Sequence, residues 1–217
     1  MIRLVLADDE AMIRAGVRSI LTTDPEIEVV AEAADGREAV DVVLANRPDI
    51  ALLDIRMPRL DGLAAAEQLR ATAPEIAVVM LTTFDEDEYV ARALATGAAG
   101  FLLKAADPRE LIMGVRAVAD GAAYLSPRIA QKVIVQFSGG RMSRQETARK
   151  ELAALTPREL DVLSLVGRGR SNQDIARELF VSEGTVKSHV SAILLRLRLN
   201  NRVQAAILAY EAGLIDS

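Results

Sequence analysis

The sequence predicts a protein of two domains: an α/β domain on a five-stranded, doubly wound parallel sheet, and a second, smaller all-α domain of four helices. Five short aliphatic segments alternate with helix-length segments through residues 1–122, as they do where helices cover both faces of a parallel sheet. Residues 152–217 keep helical periodicity alone. Residues 1–122 hold 12 Lys/Arg and 22 Asp/Glu, against 14 and 9 in residues 123–217.

Composition limits the class of protein. Of 217 residues, 51% are hydrophobic and 26% are charged, which indicates globular domains rather than disorder. The chain has no Cys, which excludes disulfides and thiolate metal sites. Arg3 and the acids interrupt the first apolar run, and no apolar stretch approaches the ~18 residues of a membrane span. We therefore expect a soluble, cytoplasmic protein with no membrane partner.

The two parts differ in the sign of their charge, with net values of −10 and +5. An acidic part joined to a basic part suggests a different partner for each. Nucleic acid is a candidate for the basic part, although a merely well-solvated surface would carry the same charge.

The elements of the first domain follow in strand–helix order. Each strand is a continuous apolar run, as burial on both faces requires. Gly97 and Gly121 follow two of the helices, which is typical of helix ends. Strands are predicted at 2–7, 27–33, 49–54, 76–82 and 99–104, and helices at 11–22, 36–46, 61–72, 86–96 and 107–119.

A linker is predicted between the domains, over residues 123–151. Its first part, 126–137, predicts an amphipathic helix with Ser126 as N-cap and Pro127 in the first turn. Residues 138–151 combine Gly, Ser and mixed charge without apolar periodicity, so we expect a flexible segment there. The domains are therefore placed at 1–122 and 152–217.

Helix-start signals divide the last domain into four short helices. Thr156 with Glu159 three residues on forms a capping box for the first helix. Ser171 begins the second helix and Ser182 the third, and the fourth ends near Gly213.

Polar side chains end four of the predicted strands. Asp8 and Asp9 end the first strand, Asp54 the third, Thr82 the fourth and Lys104 the fifth. The carboxyl ends of parallel strands meet at one edge of a sheet, where ligands bind. Clustered carboxylates repel one another unless a cation compensates, and hard oxygen ligands without Cys or His point to Mg²⁺.

A metal, an ammonium and a hydroxyl together suit a phosphoryl group carried on a carboxylate. Asp54 is the central candidate for that carboxylate, and the backbone of the "DIRMP" loop after β-strand three could supply an oxygen to the metal. Glu10, by contrast, is expected to lie outside the site as a charge at a helix start.

Residues 1–122 resemble the receiver domain of two-component response regulators, through "LADDE", "LLDIRMPRLDGL", "VVMLTTF" and "GAAGFLLK". The resemblance implies a flavodoxin-like fold in which Asp54 accepts a phosphoryl group from a sensor histidine kinase. It also implies that Asp9, Asp54 and the backbone carbonyl of Arg56 bind Mg²⁺, with Asp8 assisting through water.

By the same resemblance, Thr82 and Lys104 would hold the phosphoryl oxygens, and Phe101 would be the switch aromatic that repacks when the threonine moves. A Phe at a strand end also fits ordinary core packing. Such receivers often have a cis Pro after the lysine, where this chain has Ala105. A cis bond before Ala would cost about 3 kcal/mol, so the geometry of that loop stays open.

Residues 171–197 are typical of a helix, a short turn and a second helix. The second helix has Val186, Val190 and Ile193 at core spacing. Its opposite face carries small and polar side chains and can enter a major groove about 12 Å wide. That face presents Thr185, Lys187, Ser188, His189, Ser191 and Ala192. His189, the single histidine, fits packing better than metal binding.

Leu155 to Ile215 resembles the DNA-binding domain of NarL/LuxR-type regulators, through "LTPRELDVL", "SNQDIA" and "VSEGTVKSHV". The resemblance implies that the third helix reads double-stranded promoter DNA. Lys187 would be its leading contact, with Thr185, Ser188 and Ser191 as weaker candidates. Val203–Leu208 is a candidate dimer surface. Arg198 departs from the commoner Gly-containing turn.

The leading hypothesis is a phosphorylation-dependent transcription regulator that forms a homodimer on activation and is not an enzyme. A Mg²⁺-dependent phosphohydrolase fused to a DNA-binding module is an alternative, but it would need an enclosed substrate pocket, and no insertion here is long enough to form a cap. A regulator independent of phosphorylation is a third possibility, against which the intact acid, Thr and Lys positions argue.

Overall fold

The computed structural model describes residues 1–83, 92, 96–126, 129–130 and 141–215. The chain divides into two compact units, Met1–Ala119 with Tyr124–Val133 and Asp120–Ala123 with Ile134–Ser217. Only residues 92 and 96 of the predicted helix over 86–96 are described, and most of the predicted helix over 126–137 lies outside the described residues. The domain boundaries drawn from the sequence stay predictions.

The first unit is built on a parallel sheet with strand order β2-β1-β3-β4-β5-β6. Five strands lie within one residue of the predicted ones at each end. The strands are β1 Ile2–Ala7, β2 Ile27–Ala33, β3 Ile50–Asp54, β4 Ala77–Thr82, β5 Gly100–Leu103 and β6 Tyr124–Leu125. The expectation of five strands was wrong, because the sheet has a sixth strand, β6, which pairs with Gly100 and Phe101 of β5. A strand of two residues is too short to produce a periodic pattern.

Helices pack on both faces of this sheet. They are α1 Ala11–Leu21, α2 Gly36–Asn46, α3 Gly62–Thr72 and α4 Pro108–Ala119. Helix α1 packs beside α4, and α2 beside α3. Alternate strand residues point to opposite faces, so Leu4 and Leu6 pack with Val17 of α1 and Val115 of α4. The doubly wound α/β fold is therefore confirmed.

Residues 141–152 form a helix, α5 (Arg141–Leu152), and not the flexible segment expected from the sequence. The stretch is rich in good helix formers such as Arg, Gln, Glu, Ala and Lys. Ala148 and Leu152, one turn apart, are buried in the core of the second unit. Two apolar contacts are too few to give the periodicity that sequence reasoning requires.

The second unit contains the four helices that the sequence predicts. They are α6 Pro157–Gly167, α7 Asn172–Leu179, α8 Glu183–Arg196 and α9 Arg202–Glu211. Thr156 and Glu159 form the predicted capping box, and Ser182 accepts a hydrogen bond from the Thr185 backbone N–H. Across the residues described, no helix combines the length and apolarity needed to cross a lipid bilayer.

Candidate functional site

Lys104, just after β5, lies against two carboxylates at the carboxyl edge of the sheet. Its Nζ is 2.7 Å from Oδ2 of Asp8 and 3.0 Å from Oδ2 of Asp54. Asp8 is 0% and Asp54 5% exposed. One ammonium therefore compensates the negative charge of two buried carboxylates.

Burial and charge act in opposite directions on this cluster. Burial raises the pKa of the Asp54 carboxyl above its ordinary value, against the opposing hydrogen bond and charge of Lys104. Burial alone would lower the pKa of Lys104, but hydrogen bonds to Asp8 and Asp54 and their charges raise it. Lys104 is therefore a fixed positive charge at neutral pH, and solvent screens it little because its side chain is only 5% exposed.

The predicted site residues line a common cleft of about 190 Å³, which includes Asp9, Asp54, Arg56, Thr82 and Lys104. Thr82 ends β4 and is 5% exposed. Its carbonyl oxygen accepts the Lys104 backbone N–H at 2.8 Å, which aligns the ends of β4 and β5. Asp8 joins the group through Lys104.

Glu10 also lines the cleft, and it stands at the start of α1, as the sequence predicts; that it is not a ligand of the site stays a prediction. The carboxylates of Asp8, Asp9 and Glu10 lie within 4.8 Å of one another. Glu10 occupies the N-cap position of α1 in extended backbone, and its side chain forms no capping hydrogen bond.

The loop after Asp54 is held in place by hydrogen bonds from the backbone at the starts of α3 and α2. The Gly62 N–H donates to the Ile55 carbonyl at 2.9 Å, and the Gly36 N–H to the Leu60 carbonyl at 3.1 Å. A Cβ on Gly62 would collide with the carbonyl oxygen of Asp54. The Lys104–Ala105 bond is trans, since no cis peptide occurs among the described residues.

Phe101, the predicted switch residue, is completely buried in β5. It is paired in register with Met80 of β4, two residues before Thr82. This position fits core packing, and it also lies on the strand beside the one that carries the threonine. The switch role stays a prediction.

In the second unit, α8 presents Lys187, Ser188 and Ser191 to solvent, while Thr185 is half-buried. The hydroxyl of Ser188 donates to the Gly184 carbonyl at 3.0 Å. The Thr185 hydroxyl lies 2.8 Å from that of Ser182. These two hydroxyls are engaged within the helix, which leaves Lys187 as the long side chain best able to reach a ligand.

Helix α8 is fixed to the rest of the unit by its buried face and by Arg196. Val186 and Ile193 are buried, as the sequence predicts. The guanidinium of Arg196 donates to Oε2 of Glu159 at 3.0 Å and to the Ala154 carbonyl at 3.2 Å. These contacts fix the position of α8 relative to α6, so its opposite face remains exposed to solvent.

Helix α9 is anchored by Arg202, a buried cation. It donates to Oδ1 of Asn172 at 2.8 Å and to the Arg170 carbonyl. Burial lowers its pKa to about 10, which still leaves it charged at neutral pH. Val203 and Leu208 are buried as well, so the range expected as a dimer surface is reduced to its partly exposed members, Gln204, Ala206 and Ile207.

Comparison with known proteins agrees with this geometry. Residues 4–116 match the family model for the response regulator receiver domain, and residues 153–209 match that for bacterial regulatory proteins of the luxR family. The transcriptional regulatory protein YxjL of Bacillus subtilis is 40% identical over 216 residues, which cover 99% of this chain and 98% of the relative. The chain belongs to the LuxR-type response regulators.

Other relatives of this response regulator match over its whole length. The transcriptional regulatory protein DegU of Brevibacillus brevis is 39% identical over 222 residues, covering 98% of this chain and 94% of the relative. The crystal structure of the response regulator ChrA, from a heme-sensing two-component system, is 36% identical and covers 99% of this chain and 98% of its own, with a TM-score of 0.54. The response regulator thus combines a receiver domain with a DNA-binding domain.

Proposed function

We propose that this response regulator is controlled by phosphorylation of Asp54, with a sensor histidine kinase as donor. The observation that carries the proposal is the 3.0 Å approach of the Lys104 ammonium to the Asp54 carboxylate in a cleft that Thr82 also lines. A carboxylate can act as the nucleophile in phosphoryl transfer. A fixed ammonium and a hydroxyl beside it would stabilise the charge of the incoming phosphoryl oxygens.

The donor atoms of the cleft fit Mg²⁺. The carboxylates of Asp8, Asp9 and Glu10 lie close together, and the ion prefers a few carboxylates together with water. Asp9, Asp54 and the backbone carbonyl of Arg56 would hold it, with Asp8 assisting through water. When bound there, the ion neutralises charge on the phosphoryl oxygens.

Phosphorylation would change the partners of Lys104. Once Asp54 carries the phosphoryl group as an acyl phosphate, its acyl oxygen is uncharged and no longer attracts the ammonium as a carboxylate does, and the negatively charged phosphoryl oxygens would take that place. The Thr82 hydroxyl would donate to one of those oxygens, and Phe101 would repack behind it. The charge change at Asp54 would in this way shift Thr82 and Phe101 between two arrangements.

The second domain would bind double-stranded promoter DNA through the exposed face of α8. Lys187 is the leading contact, with Thr185, Ser188 and Ser191 beside it. Phosphorylation would favour a homodimer joined through the partly exposed residues of α9. We expect this regulator to act in the cytoplasm and to have no metabolic substrate.

The test measures the DNA affinity and the molecular mass of the full chain, with and without acetyl phosphate in MgCl₂. Genomic fragments selected by the protein itself would serve as DNA. We expect the phosphoryl donor to increase both DNA affinity and the dimer fraction. Equal affinity and mass in both states, with Asp54 shown to be phosphorylated, would contradict control by phosphorylation.

A further inference from the structure

Arg14 of α1 turns back onto the loop that carries the acidic residues. Its Nη1 donates to the backbone carbonyl of Asp8 at 2.6 Å. Its Nε donates to Oε2 of Glu32 at 3.1 Å. The side chain is 19% exposed, so these contacts are largely shielded from water. One guanidinium thus joins the acidic loop to strand β2.

Glu32 serves as the anchor of this arrangement. It lies in β2, which contributes no side chain to the cleft, and is paired in register with Leu6 of β1. Its other carboxylate oxygen accepts a hydrogen bond from Arg18 at 2.8 Å. Because β2 is a strand of the sheet, Arg14 is held against a rigid element rather than a loop.

The backbone at Asp8 is fixed on both sides. Its N–H donates to the Ala33 carbonyl at 3.1 Å, and its carbonyl accepts from Arg14. Oδ1 of Asp8 also accepts the Glu10 N–H at 2.9 Å. These bonds set the direction in which the chain leaves β1, and therefore where the carboxylates of Asp9 and Glu10 stand.

We propose that Arg14 is a positioning residue for the magnesium site: anchored by Glu32, it holds the Asp8–Glu10 backbone so that the Asp9 carboxylate is already placed for the cation. This inference rests on the proposed function of the cleft. It assigns to Arg14 and Glu32 a role that neither the charge pattern nor the strand-end spacing indicates.

The positive charge of Arg14 makes the proposal testable, because the direction of the change in Mg²⁺ affinity depends on which role Arg14 has. A guanidinium close to a cation site repels the cation, so removing its charge should by itself strengthen Mg²⁺ binding. Loss of positioning should weaken it, since removing groups that orient metal ligands typically costs about tenfold or more in affinity. A purely electrostatic role of Arg14 and a positioning role therefore predict opposite changes in Mg²⁺ affinity when its charge is removed.

The experiment titrates the full chain with MgCl₂ by isothermal calorimetry. We expect Arg14→Gln to weaken Mg²⁺ binding about tenfold. Labelling by acetyl phosphate should slow at low MgCl₂ and return close to the wild-type rate at saturating MgCl₂. Arg14→Lys keeps the charge but cannot span both partners, so it should weaken binding too.

Arg18→Gln is the matched control. Arg18 pairs with the same Glu32 and is 57% exposed, and in the described part of the chain it donates to no atom of the Asp8–Glu10 loop. Its removal deletes the same charge from the same helix and should change Mg²⁺ affinity less than twofold. Equal losses in Arg18→Gln and Arg14→Gln would overturn the positioning role.

Unchanged or tighter Mg²⁺ binding by a folded Arg14→Gln protein would also overturn it. If Arg14→Gln fails to fold, Glu32→Gln removes the anchoring charge and leaves the Asp8 contact in place. Because the loss of a negative charge by itself weakens Mg²⁺ binding slightly, only a loss of about tenfold in that variant supports the proposal, and a smaller loss contradicts it. A wild-type protein that neither binds MgCl₂ nor is labelled would instead refute the proposed function of the cleft.

Discussion

The ammonium of Lys104 lies 3.0 Å from the carboxylate of Asp54, and the two side chains are 5% and 7% exposed. Such a pair is costly to desolvate, and burial does not by itself explain why it forms. Its place in an open cleft beside Thr82 offers a reason. Under the proposed function, the ammonium that contacts the Asp54 carboxylate would also contact a phosphoryl group carried there. On that proposal, the pair is part of a reactive site rather than a source of stability.

Replacing Lys104 by Met should leave Asp8 and Asp54 as two buried carboxylates without compensation. We expect unfolding of the receiver domain to become easier by about 3 kcal/mol at pH 7. In the wild type, the pKa of Lys104 is raised, so its stabilising contribution is fully present at neutral pH and is lost only at strongly alkaline pH. Urea unfolding at several pH values measures this difference.

The defect of Lys104→Met should shrink as the pH falls. Without the ammonium, burial of Asp54 raises its pKa further in the folded state, and protonation then removes a buried charge. If the difference in the free energy of unfolding between wild type and variant grows toward acid pH, this explanation of the cluster is contradicted.

Gly62→Ala should distort the loop next to Asp54. The added methyl group would collide with the carbonyl oxygen of Asp54, so either the first turn of α3 or the end of β3 must move. We expect a loss of about 2 kcal/mol in stability and slower labelling by acetyl phosphate. Thermal unfolding and the labelling rate provide the two measurements.

Gly16→Ala is the control for that substitution. A Cβ at Gly16 in α1 would meet no atom within 4 Å, and Ala is favoured over Gly in a helix by about 1 kcal/mol. This variant should be slightly more stable and should be labelled at the wild-type rate. A loss of stability at Gly16 as large as that at Gly62 would rule out the collision as the cause.

Arg198→Gly should stabilise the DNA-binding domain. Arg198 follows α8 with φ 54°, a left-handed conformation that costs a residue with a Cβ about 1 kcal/mol and costs Gly little. Thermal unfolding of the full chain should show the second domain melting at a higher temperature. An unchanged or lower melting temperature would mean that the Arg198 side chain contributes more than its backbone costs.

Lys187→Gln should weaken DNA binding. If Lys187 contacts a phosphate, affinity should fall similarly for all sequences and the salt dependence should decrease by about one ion. If it contacts guanine, discrimination between sequences should fall by about 1–3 kcal/mol. Fluorescence anisotropy at several salt concentrations separates the two cases.

Lys150→Gln is the matched control, because Lys150 of α5 is 75% exposed and pairs with Glu146. The affinity of the Lys150→Gln protein for DNA should be close to that of the wild type. Equal losses in both variants would show that α8 has no special part in binding.

Sequence reasoning predicted the elements whose physics is local or periodic. The aliphatic strands give continuous runs because both faces of the sheet are covered, and Thr156 caps α6 by a bond within three residues. The strand-end rule brought Asp54, Thr82 and Lys104 to one cleft, because parallel strands share an edge whatever their loops contain.

What the sequence did not predict depends on tertiary contacts. Arg14 reaches Asp8 only because β2 presents Glu32 beside it, and no spacing rule encodes that contact. Helix α5 is held by the burial of Ala148 and Leu152, which is too sparse to produce a pattern. Val203 appeared available for dimer contact, but it packs inside its own domain.

The most direct test of the account is the labelling of the wild type and of Asp54→Ala by acetyl phosphate in MgCl₂, with the modified peptide identified by mass spectrometry. We predict a phosphoryl group on Asp54 in the wild type that is lost in both acid and base and is cleaved by hydroxylamine, as expected of an acyl phosphate, and none in the variant. Undiminished labelling of Asp54→Ala, or labelling of the wild type at another residue, would contradict the central claim.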